Sequence, residues 1–283
     1  MLHKTLNIKG KLTSLDTPLV MGILNVTPDS FYADSRKQTE AAIEERIQAI
    51  LSEGGTIIDV GGYSSRPDAV EVSSEEEMKR VAVALGILQR HYPEVAVSVD
   101  TFRADVACCS VEKYGAAIIN DISGGGQDKE MFPAVASLNV PYIMMHMRGT
   151  PQTMQQHTDY KDMMEDILLY FAAKVRELNL MGVNDIVLDP GFGFSKTLDQ
   201  NYLLMGHLHE FEQFGLPLLV GVSRKSMIYR FLGGTPSESL NGTTVLNTVA
   251  LLNGADILRV HDVRAAVEAV KIVDKLKREA VCG

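Results

Sequence analysis

Polar side chains in this chain recur at the ends of short apolar runs: Asn25, Asp59, Asp100, Asn120, His146, Asp189, then Ser223 with Arg224 and Lys225, then Arg259 with His261. Carboxylates and an amide oxygen accept hydrogen bonds. Asp100, Asp189 and an Asn can therefore pair with a ring that carries amino and N–H groups, while Lys225 donates to the carbonyl side of the same ring. A site built around such an edge is selective, because a wrong ring leaves buried polar groups without partners. A second chemistry lies in Ser223-Arg224-Lys225-Ser226 and Arg259-Val260-His261-Asp262, since guanidinium forks and an ammonium charge suit phosphate oxygens. Asn25 opens the phrase Asn25-Val26-Thr27-Pro28-Asp29-Ser30-Phe31, where its amide oxygen can ligate a hard cation such as Mg²⁺ or accept from a ligand. Asp189-Pro190-Gly191-Phe192-Gly193-Phe194 sets a carboxylate before glycines that let backbone approach a flat molecule. Two other readings stay open: a glycosidase pair at Asp100 and Asp189, which depends on their separation, and simple capping of the next helix by each carboxylate.

Something must bring these scattered positions together. Near-continuous apolar runs predict eight strands, at 19–25, 56–60, 95–100, 117–120, 140–146, 185–189, 217–221 and 256–260, the pattern of parallel strands covered on both faces. Helical patterns fill the intervals at 38–54, 73–90, 103–114, 128–138, 159–182, 199–213, 237–253 and 262–279. Ser73 and Ser74 before three glutamates mark one helix start, and Gly54-Gly55 marks a helix stop. Eight β-then-α units without a linker predict a single α/β domain over 1–283, a (β/α)₈ TIM barrel, with residues 1–18 as an N-terminal ribbon or tail that closes the bottom. An open doubly wound sheet is the alternative, weakened by the lack of G-x-G-x-x-G after the first strand. In a barrel the C-terminal strand ends converge on one rim, and the last two strands commonly hold phosphate.

Composition narrows the partners. A formal net charge of −9 argues against general nucleic-acid binding, which needs Lys and Arg to neutralise phosphates. No apolar run approaches the roughly 20 residues that span a bilayer, and the first residues lack the apolar core of a secretory signal, so a cytoplasmic protein is expected. Cys108, Cys109 and Cys282 suit neither a disulfide framework nor a zinc site.

The phrases MGILNVTPDSF (21–31), IIDVGGYSSRP (57–67), SVDT (98–101), IINDI (118–122), MMHM (144–147), LDPGFGF (188–194), GVSRKSM (221–227) and RVHDV (259–263), in this order, resemble those of the dihydropteroate synthases of folate biosynthesis. The resemblance covers nearly the full chain and implies a (β/α)₈ barrel. It also implies condensation of 4-aminobenzoate with 6-hydroxymethyl-7,8-dihydropterin diphosphate to give dihydropteroate and pyrophosphate. Carried over, it makes Asp100, Asn120, Asp189 and Lys225 the groups that pair with the pterin ring and Ile122, Met145 and Phe194 its apolar walls. Arg259 covers the ring and meets the phosphates, His261 and Asn25 contact the diphosphate, and Asn25 is also a Mg²⁺ ligand. Phe31, Ser65, Arg66, Pro67 and Ser226 correspond to loop positions that enclose aminobenzoate. Sulfonamides, which resemble aminobenzoate, are expected in the same pocket, and a homodimer through the last helices is implied. The chain departs from the family pattern at Tyr32-Ala33-Asp34, where many members have Ser-Asp-Gly, and at Tyr63, Ser65 and Asp68. The competing readings are a methyltetrahydrofolate:corrinoid methyltransferase, which has no use for a diphosphate site, and a barrel that binds pterin without turnover.

Overall fold

The computed structural model describes residues 3–27, 36–64 and 72–282. Strands β1 (Thr5–Ile8) and β2 (Lys11–Ser14) form an antiparallel hairpin. Its loop is Lys9-Gly10, both at positive φ (52° and 74°), the backbone that matches the twist of a two-residue hairpin. Eight parallel strands follow: β3 (Leu19–Asn25), β4 (Ile57–Gly61), β5 (Ala96–Asp100), β6 (Ile118–Asp121), β7 (Tyr142–Met145), β8 (Ile186–Asp189), β9 (Leu219–Val220) and β10 (Ile257–Val260). They are ordered β8-β7-β6-β5-β4-β3-β10-β9. A parallel bridge between Leu188 and Leu218, with Leu188 N donating to Pro217 O at 2.9 Å, joins β8 to the start of β9. The sheet is thus a barrel and not the open alternative.

Between the strands run α1 (Arg36–Ser52), α2 (Ser74–His91), α3 (Ala104–Tyr114), α4 (Met131–Leu138), α5 (Met163–Leu180), α6 (Leu198–Gly206), α7 (Ser226–Leu232), α8 (Leu240–Leu252) and α9 (Val263–Cys282). Two differences from the sequence reading concern the helices. The pattern at 199–213 divides into α6 and a 3₁₀ stretch, Leu208–Phe214. Helix α7, seven residues long, is additional; two turns are too short to show a helical period against flanking apolar residues. The predicted cap at Ser73 forms, its side chain accepting from Glu76 N at 3.2 Å.

Each apolar strand is two interleaved faces, because alternate side chains point to opposite sides of the sheet. Val20, Leu24, Ile58, Val60, Val97, Val99, Ile119 and Leu188 pack outward into the large core shared with the helices. The alternate set, Met21, Ile57, Ile118, Ile143, Val187, Leu219 and Ile257, packs with Leu6, Ile8 and Leu15 of the hairpin region into a separate cluster that fills the barrel's lower interior. Two residues further along the same inward faces stand Asp59, Asn120, Met145, Asp189 and Arg259. The interior is therefore apolar at the bottom and polar one layer higher, and that upper layer is the floor of the site.

Candidate active site at the barrel mouth

Register builds the site. Asn25 on β3 lies abreast of Gly61 on β4, Gly61 abreast of Asp100 on β5, and Asp100 abreast of Asn120 on β6. Gly61 leaves this row open: a Cβ there would stand 3.3 Å from Asn25 Oδ1 and 3.6 Å from Asp100 Cβ. Beneath it, fully buried Asp59 receives Asn120 Nδ2 at 3.1 Å and Arg259 Nε at 2.6 Å on the same oxygen, Oδ2, while its Oδ1 has no partner. Arg259 reaches across with its other arm, Nη2 donating to Asp100 Oδ2 at 2.6 Å. One guanidinium thus bridges two carboxylates contributed by different strands.

These contacts set the charge states. Burial pushes the Asp100 carboxyl up to about 7 against the pull of Arg259, with Asp59, Glu77 and Asp121 adding to the rise. Burial alone would lower Arg259, but Asp59 and Asp100 hold it above its ordinary value. Asp189, at the end of β8, accepts from Gly191 N at 2.8 Å through Oδ1; burial raises its pKa against the attraction of Lys225. Lys225 stands at the N-terminus of α7, where Nζ donates to Phe192 O at 2.6 Å and lies 4.8 Å from the centre of the Phe194 ring. Burial pulls this ammonium down to about 8, opposed by Asp189 and Asp100 and assisted by Arg259. Ile122, Met145 and Phe194 belong to one buried apolar cluster with Met147 and Met154, against which Phe102 packs. Acceptors, a donor and apolar walls are gathered at one mouth.

His261, just beyond β10, is gripped from two sides. Its backbone N donates to Ser223 Oγ at 3.1 Å, and Arg46 from α1 donates to its carbonyl at 2.7 Å. Ser223 Oγ also lies 3.1 Å from His261 Nδ1; with the hydroxyl as donor in this contact, Nε2 is the nitrogen that carries the imidazole proton. Burial, followed by the cations Arg259 and Arg224, lowers this imidazole to about 4, so it is a neutral N–H donor at physiological pH. Arg224, grouped by sequence with the phosphate-binding residues, turns away instead: its fork is bidentate to Asp262, at 2.9 and 2.6 Å. Ser226 is the first residue of α7 and half-buried.

The structure therefore brings together Asn25, Asp100, Asn120, Ile122, Met145, Asp189, Phe194, Lys225, Arg259 and His261. Phe31, Ser65, Arg66 and Pro67, together with Asp34, lie outside the described residues. Tyr63, at the edge of the second loop, packs edge-on against Phe102 with ring centres 5.1 Å apart and receives Gln152 Nε2 at 2.8 Å. Asp59 had been noted by sequence only as a strand-end carboxylate; its role as anchor of Arg259 and Asn120 appears only in space. Arg46 and Ser223 carried no sequence signal for orienting His261.

Comparison with known proteins places this geometry. The chain matches the family model of pterin binding enzymes over residues 21–261. It is 44% identical over 268 residues to the dihydropteroate synthase of Escherichia coli strain K12, covering 94% of either chain. A crystal structure of Yersinia pestis dihydropteroate synthase in a sulfonamide drug complex superposes with a TM-score of 0.89 at 42% identity, covering 97% of this chain and 99% of that one. The Xanthomonas albilineans dihydropteroate synthase with 4-aminobenzoic acid gives 0.88 at 34% identity, covering 97% and 98%. With the family match running from the first barrel strand to the last and near-complete coverage on both sides, the chain belongs to the pterin binding enzymes, in their dihydropteroate synthase branch.

Proposed function

We propose that this chain condenses 6-hydroxymethyl-7,8-dihydropterin diphosphate with 4-aminobenzoate, releasing pyrophosphate and forming 7,8-dihydropteroate. The observation that carries the reading is the two-sided mouth: acceptors Asp100, Asn120 and Asp189 with donor Lys225 between apolar walls, beside Arg259 and a neutral His261. The polar ring edge is read by the first set. Asp100 and Asp189 accept from ring N–H and amino groups, Lys225 donates to the ring carbonyl, and Phe194, Ile122 and Met145 exclude water from its faces. Breaking the C–O bond places negative charge on the departing diphosphate, where Arg259 and the His261 N–H stabilise it as it develops. The methylene left behind is electron-poor and shares its charge with the dihydropterin ring. An aromatic amine is neutral at pH 7, so its nitrogen attacks without a strong base; the new C–N bond replaces the broken C–O bond, and the proton shed by the nitrogen passes to the released pyrophosphate or to water.

Among the described residues no group of three or more His, Cys, Asp or Glu side chains is arranged to hold a metal. The Asn25 amide oxygen is nevertheless a hard donor of the kind Mg²⁺ takes, an ion commonly held by one or two protein oxygens together with substrate phosphates and waters. When bound, the ion neutralises diphosphate charge; Asn25 would be its protein ligand. On the outer wall, exposed Phe231, Leu240, Val245, Leu252, Ile272 and Leu276 on α7, α8 and α9 support a homodimer through this face, whereas Val263, Val270 and Val273 of α9 are buried against the barrel.

Pyrophosphate release by the pure protein with both substrates and Mg²⁺ tests the activity, and prior metal removal should abolish it. Methyl transfer to cobalamin without pyrophosphate release would favour the corrinoid methyltransferase. Retained pterin binding without turnover would make the barrel a binding module.

A further inference from the structure

The turn Gly191–Phe194 carries much of the ring-facing machinery: its Phe192 carbonyl receives Lys225 and its Phe194 ring lies beside Lys225 Nζ. Gly191 and Gly193 are at positive φ, as is Ser195 just beyond (74°, 82° and 47°), and the turn has no strand ladder to hold it. Asn201 Oδ1 fixes its middle, accepting from Gly193 N at 2.6 Å. Its two ends are held from below. Lys196 is 3% exposed, and its Nζ donates to Gly191 O and to Phe194 O, both at 3.0 Å, with His146 Nδ1 at 3.1 Å as the third contact. Three N–H donors meet three acceptors. His146 is itself fixed, its N donating to Asp189 O at 3.0 Å and its ring packed edge-on to Tyr170 with centres 4.9 Å apart. Burial, then Lys196 and Arg148, drives this imidazole down to about 2, so it is neutral and Nδ1 can accept.

A fully buried lysine is rare and costly unless every donor is satisfied. Here two donors are satisfied by the frame of one turn and the third by His146. We infer that Lys196, seated on His146, is a positioning residue that pins both ends of the Gly191–Phe194 turn and thereby sets Lys225 and Phe194 against the pterin ring. This rests on the pterin-site reading above. Lys196 touches no substrate, since its three donors are engaged beneath the turn. Burial lowers it to about 7, opposed by Asp189 and assisted by Lys225 and Arg148. In the amine form two N–H bonds still reach the two carbonyls and the imidazole can donate to the nitrogen lone pair, so the pin holds in either state.

Lys196→Met tests it in the full-length protein, with 6-hydroxymethylpterin and inorganic pyrophosphate titrated separately. The expected result is a loss of pterin affinity of roughly tenfold or more, as small misplacements in a positioned site produce. KM for the pterin diphosphate should rise in step, with kcat at saturation within about threefold, because the lost binding is common to ground and transition states. Pyrophosphate, held on the Arg259 and His261 side, should bind as in wild type. Unchanged pterin affinity in folded Lys196→Met overturns the inference, and so does a parallel loss of pterin and pyrophosphate affinity, which would mean a general loosening of the fold. If that variant does not fold, Lys196→Gln is read the same way, since its amide nitrogen is one bond shorter than Nζ and cannot span both carbonyls. Lys225→Ala is the reference: full pterin affinity there overturns the pocket assignment and the inference with it, whereas loss there but not at Lys196 overturns the pin alone.

Discussion

On the proposed reading, Asp100 and Lys225 face the same ring with opposite requirements. Asp100 pairs with ring N–H groups as a carboxylate, so binding through it is lost as pH falls below about 7, where burial has placed its pKa. Lys225 donates as an ammonium, and its contribution is lost as pH rises above about 8. Pterin affinity measured against pH should therefore be bell-shaped, highest between these values; the two limbs are properties of the interacting set more than of single residues. Asp100→Asn should flatten the acid limb and Lys225→Met the alkaline one. Arg259 is a different case. Because it neutralises fully buried Asp59 as well as Asp100, Arg259→Ala should cost stability of about 3 kcal/mol along with turnover, as removal of one partner strands a buried charge. Urea unfolding of Arg259→Ala, Asp59→Asn and the double variant checks this: the paired substitutions should cost less than their sum.

At the level of the element, the turn after β8 is the most constrained. Gly191 sits at φ 74°, and a Cβ added to it would come within 2.1 Å of the His146 carbonyl oxygen. Gly191→Ala should thus lose roughly 2–3 kcal/mol from backbone strain and forced displacement and also lose pterin binding, because the shift passes directly to Phe192 and Phe194. Gly182, at φ 84° with nothing within 4 Å of an added Cβ, gives the comparison. Gly182→Ala should show strain in thermal unfolding and wild-type pterin affinity. The Gly-rich phrase LDPGFGF was legible as a place where backbone approaches a ligand; that Gly191 also admits the His146 carbonyl was not, since the residue after β7 supplies that neighbour.

For the molecule as a whole, the polar upper layer rests on an apolar lower interior. Leu6 is 1% exposed and packs with Ile57, Ile118 and Val187 at the bottom of the barrel, and the hairpin is tied on by Asn7 N to Asp185 Oδ1 at 2.9 Å and Lys4 to Asp256 at 2.8 Å. Leu6→Ala should cost about 2–4 kcal/mol by leaving a cavity, seen in denaturant unfolding, with kcat at saturating substrate unchanged because the rim lies at the opposite end. A fall in kcat would show that bottom and mouth are mechanically coupled.

The eight strands, their alternation with helices and the polar residue at each strand end were determined by the sequence alone, because each is a local property of composition and spacing. Near-continuous apolar runs hide which residues face inward, however, and only the register of the closed barrel decided that Asp59 and Arg259, 200 positions apart, form one ion pair. Arg224 and Lys225 are adjacent in sequence, yet the left-handed backbone at Arg224 (φ 55°) accompanies their divergence, one toward Asp262 and the other toward Phe192 and Phe194. Lys196 carried no signal in the sequence. Its burial was decided by tertiary packing, which set two carbonyls and an imidazole where the ammonium would otherwise have met water.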